Sequence, residues 1–430
     1  MLPAVPDVDL DLAGFIRPGD TVVWGQSAGE PLALVRALVA QRRRVGPVRG
    51  FVVLSYGDAV GPEHRDDLEM VSIGATGTLT RLARAGALEI VPVAISSLDG
   101  LFASGRMACD VVLVQVSPAD GDGWHRLGVG VEGLPRCIEQ ARVVLAEVND
   151  RLPVTAGPYR LHASQITASV TTSRGLIEVP VVPPSPAELA VAEQVAALVP
   201  DGATVQFGIG RLPDAIAATL RARRGLAVHS GLVTDALLTL VEAGAVDRSR
   251  TSVVGAAVGT PPLYDLLARS SWIEVHPYTT THDPVTLAAL PGFVAMNSAL
   301  EVDLTGQIGA EVVGGAHLGA VGGQSDFLRG AARSKGGLPI VALASTTGAG
   351  TRSRIVERLD GGVVTTARSD VGLVVTEHGV ADLRGRTLRQ RAEALVAVAD
   401  PAFRDDLAAA ARRDTRTGRE TRTRRETRNG

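Results

Sequence analysis

Pro200-Asp-Gly-Ala-Thr-Val-Gln-Phe-Gly208, continuing through Ile-Gly-Arg-Leu-Pro213 into Asp214-Ala-Ile-Ala-Ala-Thr-Leu220, reads as a strand, a glycine turn and a helix that accepts proline in its first turn. The same order occurs near the start of the chain. Pro18-Gly-Asp-Thr-Val-Val-Trp-Gly25 gives the strand, Gln-Ser-Ala-Gly-Glu-Pro31 the turn, and Leu32-Ala-Leu-Val-Arg-Ala-Leu38 the helix. Thr21-Val22 and Gly25 correspond to Thr204-Val205 and Gly208, with one residue fewer before the proline in the second copy. Between the copies, Pro180-Val-Val-Pro-Pro-Ser-Pro186 carries four prolines in seven residues and can continue neither a helix nor a central strand. The economical interpretation is one α/β unit used twice, over residues 1–186 and 187–411, with 180–186 as the linker.

Further β-like runs in the first half are Gly50-Phe-Val-Val-Leu-Ser55, Leu88-Glu-Ile-Val-Pro-Val93 and Asp110-Val-Val-Leu-Val-Gln-Val116. Thr80 to Gly86 has helical spacing and a glycine stop. Apolar strands without polar alternation imply mostly parallel sheets covered on both faces. The turn-rich segment 117–133 follows a strand's carboxyl end, where such sheets usually bind ligands. The last helix is expected over Thr387–Val398, followed by Pro401 to Ala411. From 412 to 430 the chain turns repetitive and polar, with eight arginines and no apolar anchor, and disorder is expected there.

With 430 residues, 45% hydrophobic and 21% charged, the chain is expected to form about two soluble domains. Its net charge of -3 offers no electrostatic case for nucleic acid or an anionic membrane. The start, Met1-Leu-Pro-Ala-Val-Pro, lacks a secretory pattern, and no apolar run approaches the ~18 residues of a membrane span. Cys109 and Cys137 are too few for a disulfide framework and suit buried thiols in a reducing cytoplasm. A cytoplasmic protein, free to form a homo-oligomer, is expected.

Of the 43 basic residues, every one is arginine except Lys335. A lysine's compact ammonium reaches a carbonyl or phosphate without a planar slot, so this exception marks a candidate ligand contact. Three glycine-rich turns are further candidates: Gln206-Phe-Gly-Ile-Gly210, Val321-Gly-Gly-Gln-Ser-Asp-Phe327 and Leu343-Ala-Ser-Thr-Thr-Gly-Ala-Gly350. The first can cradle an anion or oxyanion at a helix N-terminus; the second lets a ligand approach the backbone; the third reads equally as a plain loop.

These turns, taken with Asn297 to Gln307, Ala332-Arg-Ser-Lys-Gly-Gly337, Val374 to Gly385, Asp110 to Asp120 and Arg126 to Val131, resemble the acetyl-CoA hydrolase/transferase family. The branch resembled is that of the 4-hydroxybutyrate and acetate CoA-transferases, and the likeness runs over roughly residues 12–410. It implies two tandem α/β domains with the active site between them. It also implies a small acyl-CoA thioester as substrate, a small carboxylate as acceptor, and no metal. By the same resemblance Gln206, Phe207, Gly208, Ile209 and Gly210 form the CoA-binding turn. Leu300, Gly319, Gly322 and Gly323 contact CoA, with Gly323 near the thioester carbonyl, and Lys335 is the CoA-contacting lysine.

Two departures stand out. The family loop usually begins Gly-x-Gly-Gly, and here it reads Ala320-Val-Gly-Gly323. Family members also carry a nucleophilic glutamate in a stretch like His-Thr-Glu-x-x-x-Asp, whereas this chain reads His229-Ser-Gly-Leu-Val-Thr-Asp235. With His229 and Asp235 holding the register, Gly231 occupies the nucleophile's position, and a missing carboxylate cannot form a glutamyl-CoA thioester. Asp235, Glu30, Glu311 and Glu377 are weak candidates to substitute, and His125 and His378 are candidate bases for direct attack by water. Two readings follow: a divergent transferase or thioester hydrolase, or a repurposed, noncatalytic CoA-binding protein.

Overall fold

Alternating strand and helix segments fold the chain into two mostly parallel sheets, each with helices packed against it, in a computed structural model that describes residues 1–413. The first sheet contains β1 (Thr21–Trp24), β2 (Val48–Phe51), β3 (Leu68–Ser72), β4 (Glu89–Ile90), β5 (Val111–Val116), β6 (Val143–Asn149) and β7 (Ala168–Thr172). Its strand order is β4-β3-β2-β1-β5-β6-β7, and every pairing is parallel. The second sheet contains β8 (Thr204–Phe207), β9 (Ala227–Val233), β10 (Ser252–Ala257), β11 (Ile273–Val275), β12 (Phe293–Ser298), β13 (Leu338–Ala342), β14 (Leu373–Thr376) and β15 (Gly379–Asp382). Its order, β11-β10-β9-β8-β12-β13-β14-β15, reproduces the first sheet strand for strand and adds one antiparallel strand at the edge.

The sequence repeat lies on equivalent central strands. Thr21-Val22 opens β1 and Thr204-Val205 opens β8, each between its sheet's second and fifth strands. All four β1 residues and all four β8 residues are buried, as strands covered on both faces should be. Helix α1 (Leu32–Val45) follows the first copy, and α3 (Arg211–Thr219) follows the second. The proline-rich segment runs without regular structure as far as Ser185 and then enters α2 (Pro186–Leu198). Pro186 therefore belongs to the helix, at a position whose amide needs no partner; Ser185 caps it in a reciprocal pair with Glu188.

The two halves share one apolar core, which runs from Val23 in β1 through Val205 in β8 to Val375 in β14. Residues 129–132 add a strand-like seam along β10: Val131 N–H donates to Gly255 O, and Ala257 N–H donates to Val129 O. On the other side of the interface Ser96 donates its hydroxyl and amide to the Asp326 carboxylate, at 2.7 and 3.1 Å. Cys109 and Cys137 are both buried and free. Residues 404–413 are helical, so Arg412 and Arg413 end a helix rather than begin the polar tail; the expected disorder of 414–430 lies outside the described residues. Among the described residues no helix is long and apolar enough to cross a membrane.

Candidate active site

The carboxyl ends of β8, β9 and β12 open into a cavity of about 560 Å³ between the two halves. That is within the roughly 300–1,000 Å³ range of pockets that hold small molecules and cofactors. One wall is the turn Gln206-Phe-Gly-Ile-Gly210, which leads from β8 into α3. Gly210 has φ 110°, a conformation L side chains rarely adopt, and caps the helix that begins with Arg211. Gln206 is held by Asn297, whose side-chain amide donates to Gln206 Oε1 at 2.9 Å. Arg211, the one Lys or Arg among the residues lining the cavity, is exposed and lies 3.3 Å from Glu188.

The opposite wall is the loop from Gly319 to Gly323, which ends at α6 (Gln324–Arg333). Backbone bonds stitch this loop to the first half: Ala75 N–H donates to Gly319 O, and Ile95 N–H donates to Gly322 O. The departure at Ala320 has a local counterpart. A Cβ on Gly74 would stand 2.3 Å from the Ala320 methyl, so the methyl uses space that Gly74 leaves open. Val179 and, from the start of the proline-rich segment, Pro180, Val181 and Val182 close a third side.

Gly231 lies in β9 and lines the cavity, and the space a side chain there would enter is taken by another residue's ring. A Cβ built on Gly231 would meet His282 Cε1 at 2.7 Å and Nε2 at 2.8 Å. From the other wall, a Cβ on Gly323 would meet His282 Nε2 at 2.5 Å and Phe327 Cε2 at 2.8 Å. The imidazole of His282 is therefore wedged between two glycines. Its ring is edge-on to Tyr278 with centroids 5.2 Å apart and tilted on Phe327 at 4.6 Å. Burial, aided by the neighbouring His229, pushes its pKa down to about 3, so the ring is neutral at ordinary pH.

Beside it is a buried polar group from both halves. Gln26 Nε2 donates to Tyr278 Oη at 2.7 Å, and both side chains hydrogen-bond with the Glu132 carboxyl. Burial pushes Glu132 up to about 8 against the pull of those two bonds, so it holds its proton near neutrality. Glu132 also has left-handed backbone, φ 47°, which costs a non-glycine residue of order 1 kcal/mol. Its carbonyl accepts from Tyr278 N–H, which fixes the turn against the second half.

Of the residues expected from sequence, Gln206, Phe207, Gly208, Ile209, Gly210, Gly231, Gly319, Gly322 and Gly323 share this cavity. Leu300 and Lys335 do not line it. Leu300 pairs its amide with Gly309. Lys335 is exposed just before β13, beside Gly292 at the start of β12, and so at the sheet end opposite the cavity. Lys335 was expected to contact CoA, and its position gives it no place in the cavity wall: a rare residue type marks a position without saying which end of the sheet it occupies.

The candidate substitutes for the carboxylate are likewise engaged elsewhere. Asp235 accepts from Thr260 N–H; Glu30 is buried against Ser55, Tyr56 and Gly57; Glu377 holds Ser345. His125 is bonded to Ser117 O, and His378 stands 3.8 Å from Asp400. Neither they nor Glu311 line the cavity. Glu132, Tyr278, Gln26 and His282 were not anticipated. A signal existed for Glu132, since it lies in the turn-rich segment 117–133 expected on the ligand side, and for Gln26, which begins the turn after β1. His282 follows a four-residue helix, α5 (Tyr278–Thr281), with no periodicity to mark it.

Family models for the acetyl-CoA hydrolase/transferase N-terminal and C-terminal domains match residues 9–182 and 259–411. A 4-hydroxybutyrate coenzyme A transferase of Clostridium kluyveri is 36% identical, covering 90% of this chain and 92% of its own length. The chain belongs to the acetyl-CoA hydrolase/transferase family. Another relative, a succinyl-CoA:cyclohexane-1-carboxylate CoA transferase of Geobacter metallireducens, is 34% identical over 95% of both chains. Among solved structures, RipA from Yersinia pestis superposes with a TM-score of 0.88 at 33% identity, covering 94% of this chain and 96% of that one. The acetyl-CoA hydrolase/transferase family works on CoA thioesters, and in this member the doubled sheet leaves one large cavity between its halves.

Proposed function

We propose that this protein processes a small acyl-CoA thioester in the cavity between its halves and does so without a glutamyl-CoA intermediate. The observation that carries the reading is the imidazole of His282 standing where a side chain on residue 231 would begin. Gly208, Gly210, Gly322 and Gly323 line the cavity and leave their side-chain space to the pantetheine arm, and the exposed Arg211 supplies a cation for the phosphates. Water then takes the nucleophile's role. Its oxygen bonds to the thioester carbonyl carbon, the carbon–sulfur bond breaks, and the departing sulfur takes up the proton that water gives up. The products are a carboxylic acid and free CoA thiol.

Intact-protein mass spectrometry during incubation with acetyl-CoA, run beside a colorimetric thiol assay, tests this. Thiol release with no CoA adduct on the protein is expected. An adduct on any carboxylate would overturn the claim that the covalent route is lost. CoA binding with no thiol release would instead support the noncatalytic alternative.

A further inference from the structure

We infer that His282 is a catalytic residue: its neutral imidazole donates a hydrogen bond from Nε2 to the carbonyl oxygen of the acyl thioester. The inference rests on the reading of the cavity just given and assigns the polarising group within it.

Three observations support it. The ring is 1% exposed and lines the cavity, held between Gly231 and Gly323, with Tyr278 and Phe327 against it. Its orientation is therefore set before any ligand arrives. Second, the tautomer can be argued from its neighbours. Nδ1 lies 2.8 Å from Thr281 Oγ1. The hydroxyl's alternative acceptor, Pro277 O, is farther away at 3.4 Å and already receives the amides of Thr280 and Thr281 at 3.0 Å each. The Thr281 hydroxyl thus donates to Nδ1, which leaves the ring's own proton on Nε2.

Third, among the described residues no hydrogen bond to Nε2 is present, and the atom is not one of the fully buried polar atoms left without a partner, so it is reached from the cavity that His282 lines. The atom sits near the place of the absent carboxylate and beside Gly323, where a thioester carbonyl is expected. A fixed, neutral donor at that point stabilises the negative charge that builds on the carbonyl oxygen as water adds; the imidazole keeps its own proton, and the proton that water gives up goes to the departing sulfur. Burial agrees, since it holds the ring uncharged. Gly231, His282 and Gly323 then form one unit, because a side chain on either glycine would displace the ring.

The test uses the full chain and two ligands that cannot be hydrolysed. One is the ketone analogue of acetyl-CoA, with a methylene in place of sulfur; the other is S-ethyl-CoA, which keeps the two carbons and lacks the carbonyl oxygen. Calorimetry should show the wild type preferring the ketone by about tenfold, and His282→Phe binding both alike. Thiol release from acetyl-CoA should fall on the order of 100-fold in kcat in His282→Phe, with little change in affinity for CoA itself. Equal binding of the two ligands by the wild type, or a ketone preference that survives in His282→Phe, overturns the assignment. A wild type that prefers the ketone yet releases no thiol keeps the assignment and rejects the turnover reading. Should His282→Phe fail to fold, ¹⁵N NMR of the wild-type imidazole decides: protonated Nε2 supports the donor, and protonated Nδ1 removes it.

Discussion

At position 231 a single Cβ would compete with the His282 ring for the same space. Introducing a glutamate there means placing an atom 2.7 Å from His282 Cε1, and that ring is held by Tyr278 and Phe327. Gly231→Glu alone is therefore expected to cost about 1–3 kcal/mol through overpacking and to yield no CoA adduct. Gly231→Glu combined with His282→Ala removes the obstruction and should recover most of that stability; an adduct detected by mass spectrometry would then report a restored nucleophile. If Gly231→Glu by itself melts at the wild-type temperature and takes up CoA covalently, the steric account is wrong. Lys335 makes the opposite case. Exposed, and at the far end of the sheet from the cavity, it should tolerate Lys335→Ala with CoA affinity changed less than about twofold by calorimetry, since surface substitutions away from a site rarely cost more. A tenfold loss would place the nucleotide end of CoA along a path that the cavity does not indicate. Arg211→Ala, by contrast, should weaken CoA and leave the carbonyl preference intact.

The elements that build the walls come in pairs, one from each half, and this explains what the sequence could and could not disclose. The strand-turn-helix units were legible because each is local: Thr21-Val22 and Thr204-Val205 announce β1 and β8, and the glycines and prolines that follow announce the turns. Parallel sheets followed from uninterrupted apolar runs, although the antiparallel β15 after the Glu377-His378 turn did not. The cradling turn 206–210 was legible for the same local reason. Contacts between the halves were not, because nothing near Ala320 in the chain names Gly74, and nothing near Glu132 names Tyr278. Asp326 shows what such contacts are worth. It sits in the first turn of α6, directly after the glycine loop, and takes two hydrogen bonds from Ser96 in the other half. Asp326→Ala leaves those donors unmatched in a mostly buried place and should destabilise the chain by about 1–3 kcal/mol in urea titration. It should also weaken CoA, because the loop it anchors forms one wall. Loss of stability with unaltered CoA affinity would mean the loop keeps its shape unaided.

Across the whole molecule, buried acids and imidazoles oppose one another in their effect on stability. Glu30 and Glu132 are raised from 4.5 to about 7 and about 8 by burial, so the unfolded chain releases their protons first as pH rises. Each therefore contributes stability that is full below about pH 4.5 and is lost as pH climbs through the folded value. His229 and His282 are lowered from 6.5 to about 4 and about 3, again chiefly by burial, and have the reverse sense: the unfolded chain takes up protons first as pH falls below 6.5. Between pH 4.5 and 6.5 the two trends offset each other. Above 6.5 the histidines no longer contribute a slope and the acids alone remain, so stability should fall by about 3 kcal/mol from pH 6.5 to 8, at ~1.4 kcal/mol per unit per group. Asp214 and Asp326, also raised by desolvation, act in the same direction as the glutamates. Glu132→Gln keeps the shape of the side chain and removes its titration, so about 2 kcal/mol of that decline should vanish, and between pH 4.5 and 6.5, where one glutamate then opposes two imidazoles, stability should rise with pH by ~1.4 kcal/mol per unit. Thermal midpoints across pH 5 to 9 for the wild type and Glu132→Gln measure both quantities. A wild-type midpoint that rises from pH 6.5 to 8, or a variant whose curve parallels it, would show that Glu132 is ionised in the folded protein and that the polar group beside His282 carries a charge.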